Sequence, residues 1–337
     1  MKRVSLALQG GGAHGAFTWG VLDRLLQQED LEIAGISGCS AGALNGAALK
    51  AGLIEGGRPG ARARLERLWD QIAGISDFRM MPWLQPFVPA LRFWQTASAA
   101  VLPFSPQALA AQVWSPQIWG ESWKNPLEPV VRDLDFREVC ATEGPRLFVS
   151  ATNVRTGRIK VFTGDQLSPE ALLASACLPT VFQTVEIEGE AYWDGGFAGN
   201  PALFPLYEPD LPDDVLVVSI NPILREAVPQ TPLEIQNRIN EISFNASLLG
   251  ELRAINFVRR LIAEGRMEPG TMKAVNVHMI ADDRLMNELS ADSKLSPTPL
   301  LLHRLKEAGR AAAQRFLDER ATKIGHEPST DLRDVLA

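Results

Sequence analysis

Gly35-Ile36-Ser37-Gly38-Cys39-Ser40-Ala41-Gly42 decides how the rest of this chain is read. It has the form of a buried strand end, a tight turn and a helix start. Inside it, Gly38-Cys39-Ser40-Ala41-Gly42 is a G-x-S-x-G pattern. A serine on a sharp strand-to-helix turn has its hydroxyl pushed out past the sheet edge. Glycines two residues to either side present no Cβ to block the turn or an approaching substrate. The Ala- and Leu-rich stretch Ala41 to Leu49 reads as the helix. Its free N–H groups would face negative charge forming beside Ser40. A glycine-rich turn carrying an incidental serine is the plain alternative.

Working outward, Val4 to Leu8 is an apolar run ending at Gly10-Gly11-Gly12 and reads as a strand buried on both faces. Gly15 to Gln28 carries Phe17, Val21, Leu22, Leu25 and Leu26 at helical spacing, and Leu31 to Ile36 is the next strand. Strand, glycine loop, helix, strand, serine turn, helix is a βαβα unit with parallel strands. Gly56-Gly57-Arg58-Pro59-Gly60 marks a loop, and Ala61 to Ile72 an amphipathic helix. Further strands are expected at Leu147 to Ala151, Ile159 to Phe162, Val185 to Ile187, Ala191 to Trp193, Val215 to Ile220 and Val275 to Ile280. Helices are expected at Pro169 to Cys177, Glu234 to Glu264 and Pro299 to Arg320. The fold class is α/β. One domain over 1–325 accounts for the pattern, followed by a loosely tied tail at 326–337. Between Arg79 and Asn125 lie five of the eight tryptophans: Trp83, Trp94, Trp114, Trp119 and Trp123. We read 78–126 as an irregular helical insertion. Either it is a lid or interface-seeking surface, since Trp favours boundaries between apolar and wet, or it is a cap with its aromatics buried.

The chain's 337 residues are 46% apolar and 22% charged, in the range of a globular protein. A net charge of −7 and the lack of a basic tract argue against nucleic-acid binding. Three widely spaced cysteines, Cys39, Cys140 and Cys177, suggest neither a disulfide framework nor a zinc site and fit a reducing compartment. The N-terminal apolar run is too short for a secretory signal, and no run of about 18 apolar residues appears. A cytoplasmic protein is the expectation.

Three stretches are candidates for chemistry: Gly10-Gly11-Gly12-Ala13-His14-Gly15, the Ser40 turn, and Asp194-Gly195-Gly196. In a parallel sheet all three would emerge at the carboxyl edge, where open α/β sheets bind ligands. Gly10, Gly12 and Gly15 also satisfy the dinucleotide fingerprint G-x-G-x-x-G. That fingerprint expects an acidic residue at the end of the second strand, where this chain has the serine turn; Glu32 comes too early. The other use of such a loop is a set of N–H groups facing Ser40 as an oxyanion hole. For a base, Ser40 with Asp194 and then His278 or His303 has the chain order of an α/β-hydrolase triad. Such a fold needs more strands before its nucleophile than this chain supplies. Asp194 acting directly is the other candidate, if burial raises its pKa. Asp-Gly-Gly is also a common turn.

Together these stretches, with Asn200-Pro201 close behind, resemble the patatin-like phospholipases, serine lipid acyl hydrolases. The resemblance spans about 5 to 205. It implies a three-layer α/β/α fold with a mainly parallel sheet and a Ser-Asp dyad, Ser40 as nucleophile and Asp194 as base. It implies an oxyanion hole from Gly10, Gly11 and Gly12, joined by the N–H of Ala41, with no metal, no cofactor and no catalytic histidine. The implied partner is a lipid or other fatty-acyl ester, with a peripheral membrane contact expected through the Trp-rich insertion. A catalytically silent lipid-binding protein on the same fold is the alternative. One departure stands out: His14 occupies a position where the family commonly has Arg or Lys. An imidazole would hold an anionic lipid or the loop less firmly than a fixed cation.

Overall fold

The computed structural model describes residues 1–75, 124–226, 228–268 and 270–337. Most of the Trp-rich stretch at 78–126 lies outside the described residues. The strands are β1 (Lys2–Leu8), β2 (Leu31–Cys39), β3 (Arg146–Asn153), β4 (Ile159–Thr163), β5 (Val185–Ile187), β6 (Glu190–Asp194), β7 (Asp214–Val218) and β8 (Asn276–Ile280). The longer helices are α1 (Gly15–Leu25), α2 (Ala41–Ala73), α3 (Pro169–Ser175), α4 (Pro232–Ala263) and α5 (Pro299–Arg320). Gly56 and Gly57 take non-helical backbone angles and break α2 in two, where the sequence marks a loop.

All eight strands join one sheet. Neighbours β3, β2, β1, β7 and β8 run parallel, while β4, β5 and β6 enter as antiparallel pairs. Alternate residues of the central strands feed two separate cores. Leu6 and Leu8 of β1, with Leu216 and Val218 of β7, pack with α1, α2 and α5. Ala7, Val215 and Val217 pack on the opposite face with Leu248, Leu252 and Ile255 of α4. With a side-chain period of two, a strand that is apolar at every position needs a cover on both faces. These cores make the three-layer α/β/α arrangement. Among the described residues no helix is long and apolar enough to cross a membrane.

The register around β3 positions the site. Ser150 pairs with Cys39 on β2 and Val161 on β4, so those strands flank β3 on opposite sides. Ala151 pairs with Lys160 on β4 and with Asp194 on β6. Strand β6 therefore lies on the β2 side of β3 and meets β2 end to end. Asp194 stands one rung beyond Cys39. This corrects the expectation that all three motifs leave the carboxyl edge of parallel strands. Asp194 arrives from the opposite direction, on an antiparallel strand that stops level with the serine turn.

The tail also departs from expectation. The Gly325 N–H donates to Asp214 Oδ1 at 3.0 Å, and the Thr330 N–H to the Val277 carbonyl at 3.2 Å. Ser329 Oγ lies 2.8 Å from Nδ1 of buried His278, whose Nε2 is 2.9 Å from Asp214 Oδ1. Leu332 and its neighbours join the core beside α4. The tail is tied by polar groups spaced too widely in sequence for a local pattern to show.

Candidate active site

Ser40 sits between β2 and α2 with φ 52° and ψ −124°, a left-handed conformation that a residue with a side chain rarely adopts. The two flanking glycines explain how the turn closes. A Cβ on Gly38 would lie 2.7 Å from the Gly42 backbone, and one on Gly42 would lie 2.1 Å from the Leu8 carbonyl oxygen. Both positions require the bare backbone because the turn folds onto itself and onto β1. The Ser40 N–H donates to Ser175 Oγ at the end of α3, 2.9 Å away. Ser40 is 8% exposed, the outlet of an otherwise enclosed position.

Asp194 is buried at the end of β6. Its Oδ1 accepts the Gly196 N–H at 2.7 Å and the Cys39 thiol at 3.4 Å, and the Ser40 side chain lies close enough to the same carboxylate to lower its proton affinity. Burial is the largest influence on its proton affinity and pushes the pKa up to about 6; the hydrogen bonds from Gly196, Ser40 and Cys39 pull it back. Ser40, one residue past Cys39 on β2, and Asp194 on β6 are held beside each other by β3. Cys39 itself is buried, and its thiol is raised well above the ordinary range by burial and then by the Asp194 charge. It is a poor nucleophile.

The glycine loop runs against the serine turn, as parallel β1 and β2 require, with Leu8 opposite Gly38. A Cβ on Gly10 would meet Ser40 Cβ at 2.7 Å. Gly10, expected among the oxyanion donors, has another task. Its N–H donates to Asn200 Oδ1 at 2.7 Å, and its carbonyl accepts Asn221 Nδ2 at 2.8 Å. Gly11 and Gly12 carry N–H groups without a partner among the described residues, as does Ala41 at the first position of α2. Gln9 completes the anchor. Its Oε1 accepts the N–H groups of Ile220 and Asn221, and its Nε2 donates to Asn245 Oδ1 at 3.3 Å. Sequence reasoning missed Gln9, Ser175, Asn200, Asn221 and Asn245 as support for the site. From the sequence, Asn200 stands out only as part of the Asn200-Pro201 motif.

The histidines are elsewhere. Both nitrogens of His278 are occupied by Asp214 and Ser329, and His303 and His326 are exposed on the helix and tail surfaces. The triad reading therefore loses its third member. His14 is buried, with Nε2 2.7 Å from Ser293 Oγ and Nδ1 without a partner. Burial, then the charges of Lys294 and Arg225, holds its pKa well below the usual imidazole range, so it is neutral near pH 7. Glu32 pairs with Arg3 at the amino end of the sheet, far from the ribose position of a dinucleotide site. Among the described residues no group of three or more His, Cys, Asp or Glu side chains could hold a metal.

Above Ser40 opens a narrow apolar cleft, lined by Leu44, Trp69, Ile72, Leu178, Phe182 and Leu295 among others. The polar end of Trp69 is turned away from it. Its indole N–H donates to Asn45 Oδ1 at 3.0 Å, and Asn45 in turn donates to the carbonyls of Gly15 and Ala41. The opening thus combines the Ser40 side chain, the backbone of Gly12 and Ala41, and apolar walls. This suits an acyl chain whose carbonyl carbon lies at Ser40.

The patatin-like phospholipase family matches residues 6–207, well over half of the chain. The chain belongs to this family, whose members are lipid acyl hydrolases. Among solved structures it is similar to VipD from Legionella pneumophila, at 17% identity and a TM-score of 0.42, covering 94% of this chain and 67% of that one. No curated protein matches.

Proposed function

We propose that this protein is a serine carboxylic-ester hydrolase acting on fatty-acyl esters, with Ser40 as nucleophile and Asp194 as its base. The observation that carries the reading is the positive-φ turn that sets Ser40 beside buried Asp194 at an apolar cleft.

Ser40 Oγ attacks the ester carbonyl while its proton passes to Asp194. The oxygen gains negative charge and is received by the N–H groups of Gly11, Gly12 and Ala41, with Gly10 anchoring their loop. Protonated Asp194 then gives its proton to the departing alcohol. Water attacks the acyl-serine with Asp194 again as base, and collapse returns the hydroxyl to Ser40. A carboxylate with a pKa of about 6 is a far better proton acceptor than an ordinary aspartate and is still largely ionised at pH 7.

Three unpaired thiols fit action in a reducing, cytoplasmic setting. Docking on lipid surfaces through the Trp-rich stretch belongs to the same reading, and co-sedimentation with vesicles tests it. The main test is hydrolysis of p-nitrophenyl esters and labelled phospholipids by wild type, Ser40→Ala and Asp194→Asn. Turnover by the wild type alone, with all three folded, supports the dyad. Activity in Ser40→Ala equal to wild type refutes it. A wild type that binds lipid but cleaves nothing and resists a fluorophosphonate probe would instead be a silent lipid-binding protein.

A further inference from the structure

The short segment at 290–296 lies across the glycine loop, outside the family match that ends at 207. Three of its residues touch the site. Ser293 Oγ meets His14, Leu295 lines the cleft, and the Lys294 carbonyl is packed so tightly on Gly12 that a Cβ there would overlap it. The Lys294 side chain is partly buried, and its ammonium donates to Asn221 Oδ1 at 2.8 Å. The same amide donates from Nδ2 to the Gly10 carbonyl at 2.8 Å and to Gln9 Oε1 at 3.3 Å. One side chain therefore joins the ammonium to the loop that precedes the free N–H groups of Gly11 and Gly12. An Asn whose oxygen is claimed by a cation has its NH2 fixed towards the loop.

We propose that Lys294 is a positioning residue for the ester cleavage: through Asn221 it locks the glycine loop in the geometry that receives the oxyanion, and it sets a positive charge against that loop. The proposal rests on the Ser40–Asp194 reading above. His14 supplies no such charge, being neutral.

The charged and titratable groups acting on this ammonium are Glu241 on α4, Arg225 after β7, and His14 on the loop side. Glu241 accepts from Arg225 at 2.6 Å and from Arg238 at 3.3 Å. Desolvation lowers the Lys294 pKa most, Glu241 raises it and Arg225 lowers it, leaving it near 8. The charged form is thus present below about pH 8 and lost above it, and an activity that depends on it has an alkaline limb there.

The test measures kcat, KM and pH profiles on a p-nitrophenyl ester for wild type, Lys294→Met and Lys294→Arg, with Ser40→Ala alongside and folding checked by thermal melts. A residue acting behind the donors should cost less than the about 10²–10³-fold lost with a donor itself. Lys294→Met is expected to lower kcat about 10- to 100-fold with KM within about threefold, and to abolish the alkaline limb. Lys294→Arg should recover activity to within about threefold of wild type, with the limb moved beyond the measured range, because guanidinium stays charged. A folded Lys294→Met with wild-type kcat and an unchanged limb overturns the proposal, as does a folded Lys294→Arg no better than Lys294→Met. Should Lys294→Met fail to fold, Glu241→Gln keeps the lysine and removes the anion that supports its proton. Its limb should move to lower pH, and an unmoved limb overturns the proposal. Full activity in Ser40→Ala removes the reading beneath it. Loss in Ser40→Ala together with an indifferent Lys294→Met removes this inference alone.

Discussion

The protonation of Asp194 gives the sharpest test of the dyad. Only the ionised carboxylate can take the Ser40 proton. With a pKa of about 6, roughly nine-tenths of the molecules are competent at pH 7, about a tenth at pH 5 and about a hundredth at pH 4. An aspartate at the ordinary value of about 3.9 would leave about nine-tenths competent at pH 5. The two cases differ about tenfold at a pH that most proteins tolerate. The assay is the second-order rate of Ser40 inactivation by a fluorophosphonate from pH 4.5 to 7.5, which avoids any contribution from deacylation. Melts at each pH exclude unfolding. A rate at pH 5 within about 20% of the plateau would refute the argument that burial tunes this carboxylate. The same burial has a cost in stability. The folded pKa lies above the unfolded one, so ionising Asp194 penalises the folded state above pH 6, by about 1–3 kcal/mol, and the penalty fades below pH 4. Asp194→Asn should therefore abolish turnover yet raise the melting temperature by about 1–4 °C at pH 8, and by much less at pH 4.

Cys39→Ala should keep most of the activity and raise the midpoint of the acid limb, since a thiol donor to Asp194 is lost; a collapse of kcat would show that the thiol does more. Gly42→Ala places a Cβ 2.1 Å from the Leu8 carbonyl, and should destabilise by about 3 kcal/mol in denaturant titration, with a loss below about 0.5 kcal/mol refuting the packing argument. His278→Ala leaves Asp214 without its buried imidazole, and should cost about 1–3 kcal/mol and speed hydrogen exchange across 325–337, with the turnover of folded molecules unchanged.

Much of the fold was legible because its strands are apolar at successive positions and its loops carry glycine where the backbone must turn. The run Val4 to Leu8, the break at Gly56-Gly57 and the serine turn are local signals, each set by residues within a few places of one another. The direction of β6 was not local. Three apolar residues between turn formers look the same whichever way they enter a sheet, and only pairing with β3 shows that Asp194 comes to meet Ser40 from beyond the end of β2. The support of the glycine loop was hidden for a related reason. Gln9, Asn200, Asn221, Asn245 and Lys294 are scattered across the chain, and none has a periodicity that distinguishes a buried amide anchor from a surface residue. The tail misled because its polar composition resembles a loose end, whereas its hydrogen bonds reach back to Asp214, Val277 and His278.

Strand β3 acts as a ruler for the proposed dyad, since neighbouring rungs of one backbone hold Cys39, next to Ser40, and Asp194. The walls of the cleft are drawn from other parts of the chain, including Leu44 and Trp69 on α2, Phe182 after α3 and Leu295 near the end of the chain. In the proposed reaction, replacements among the wall residues would reshape which acyl group fits while Cys39 and Asp194 keep their places along β3.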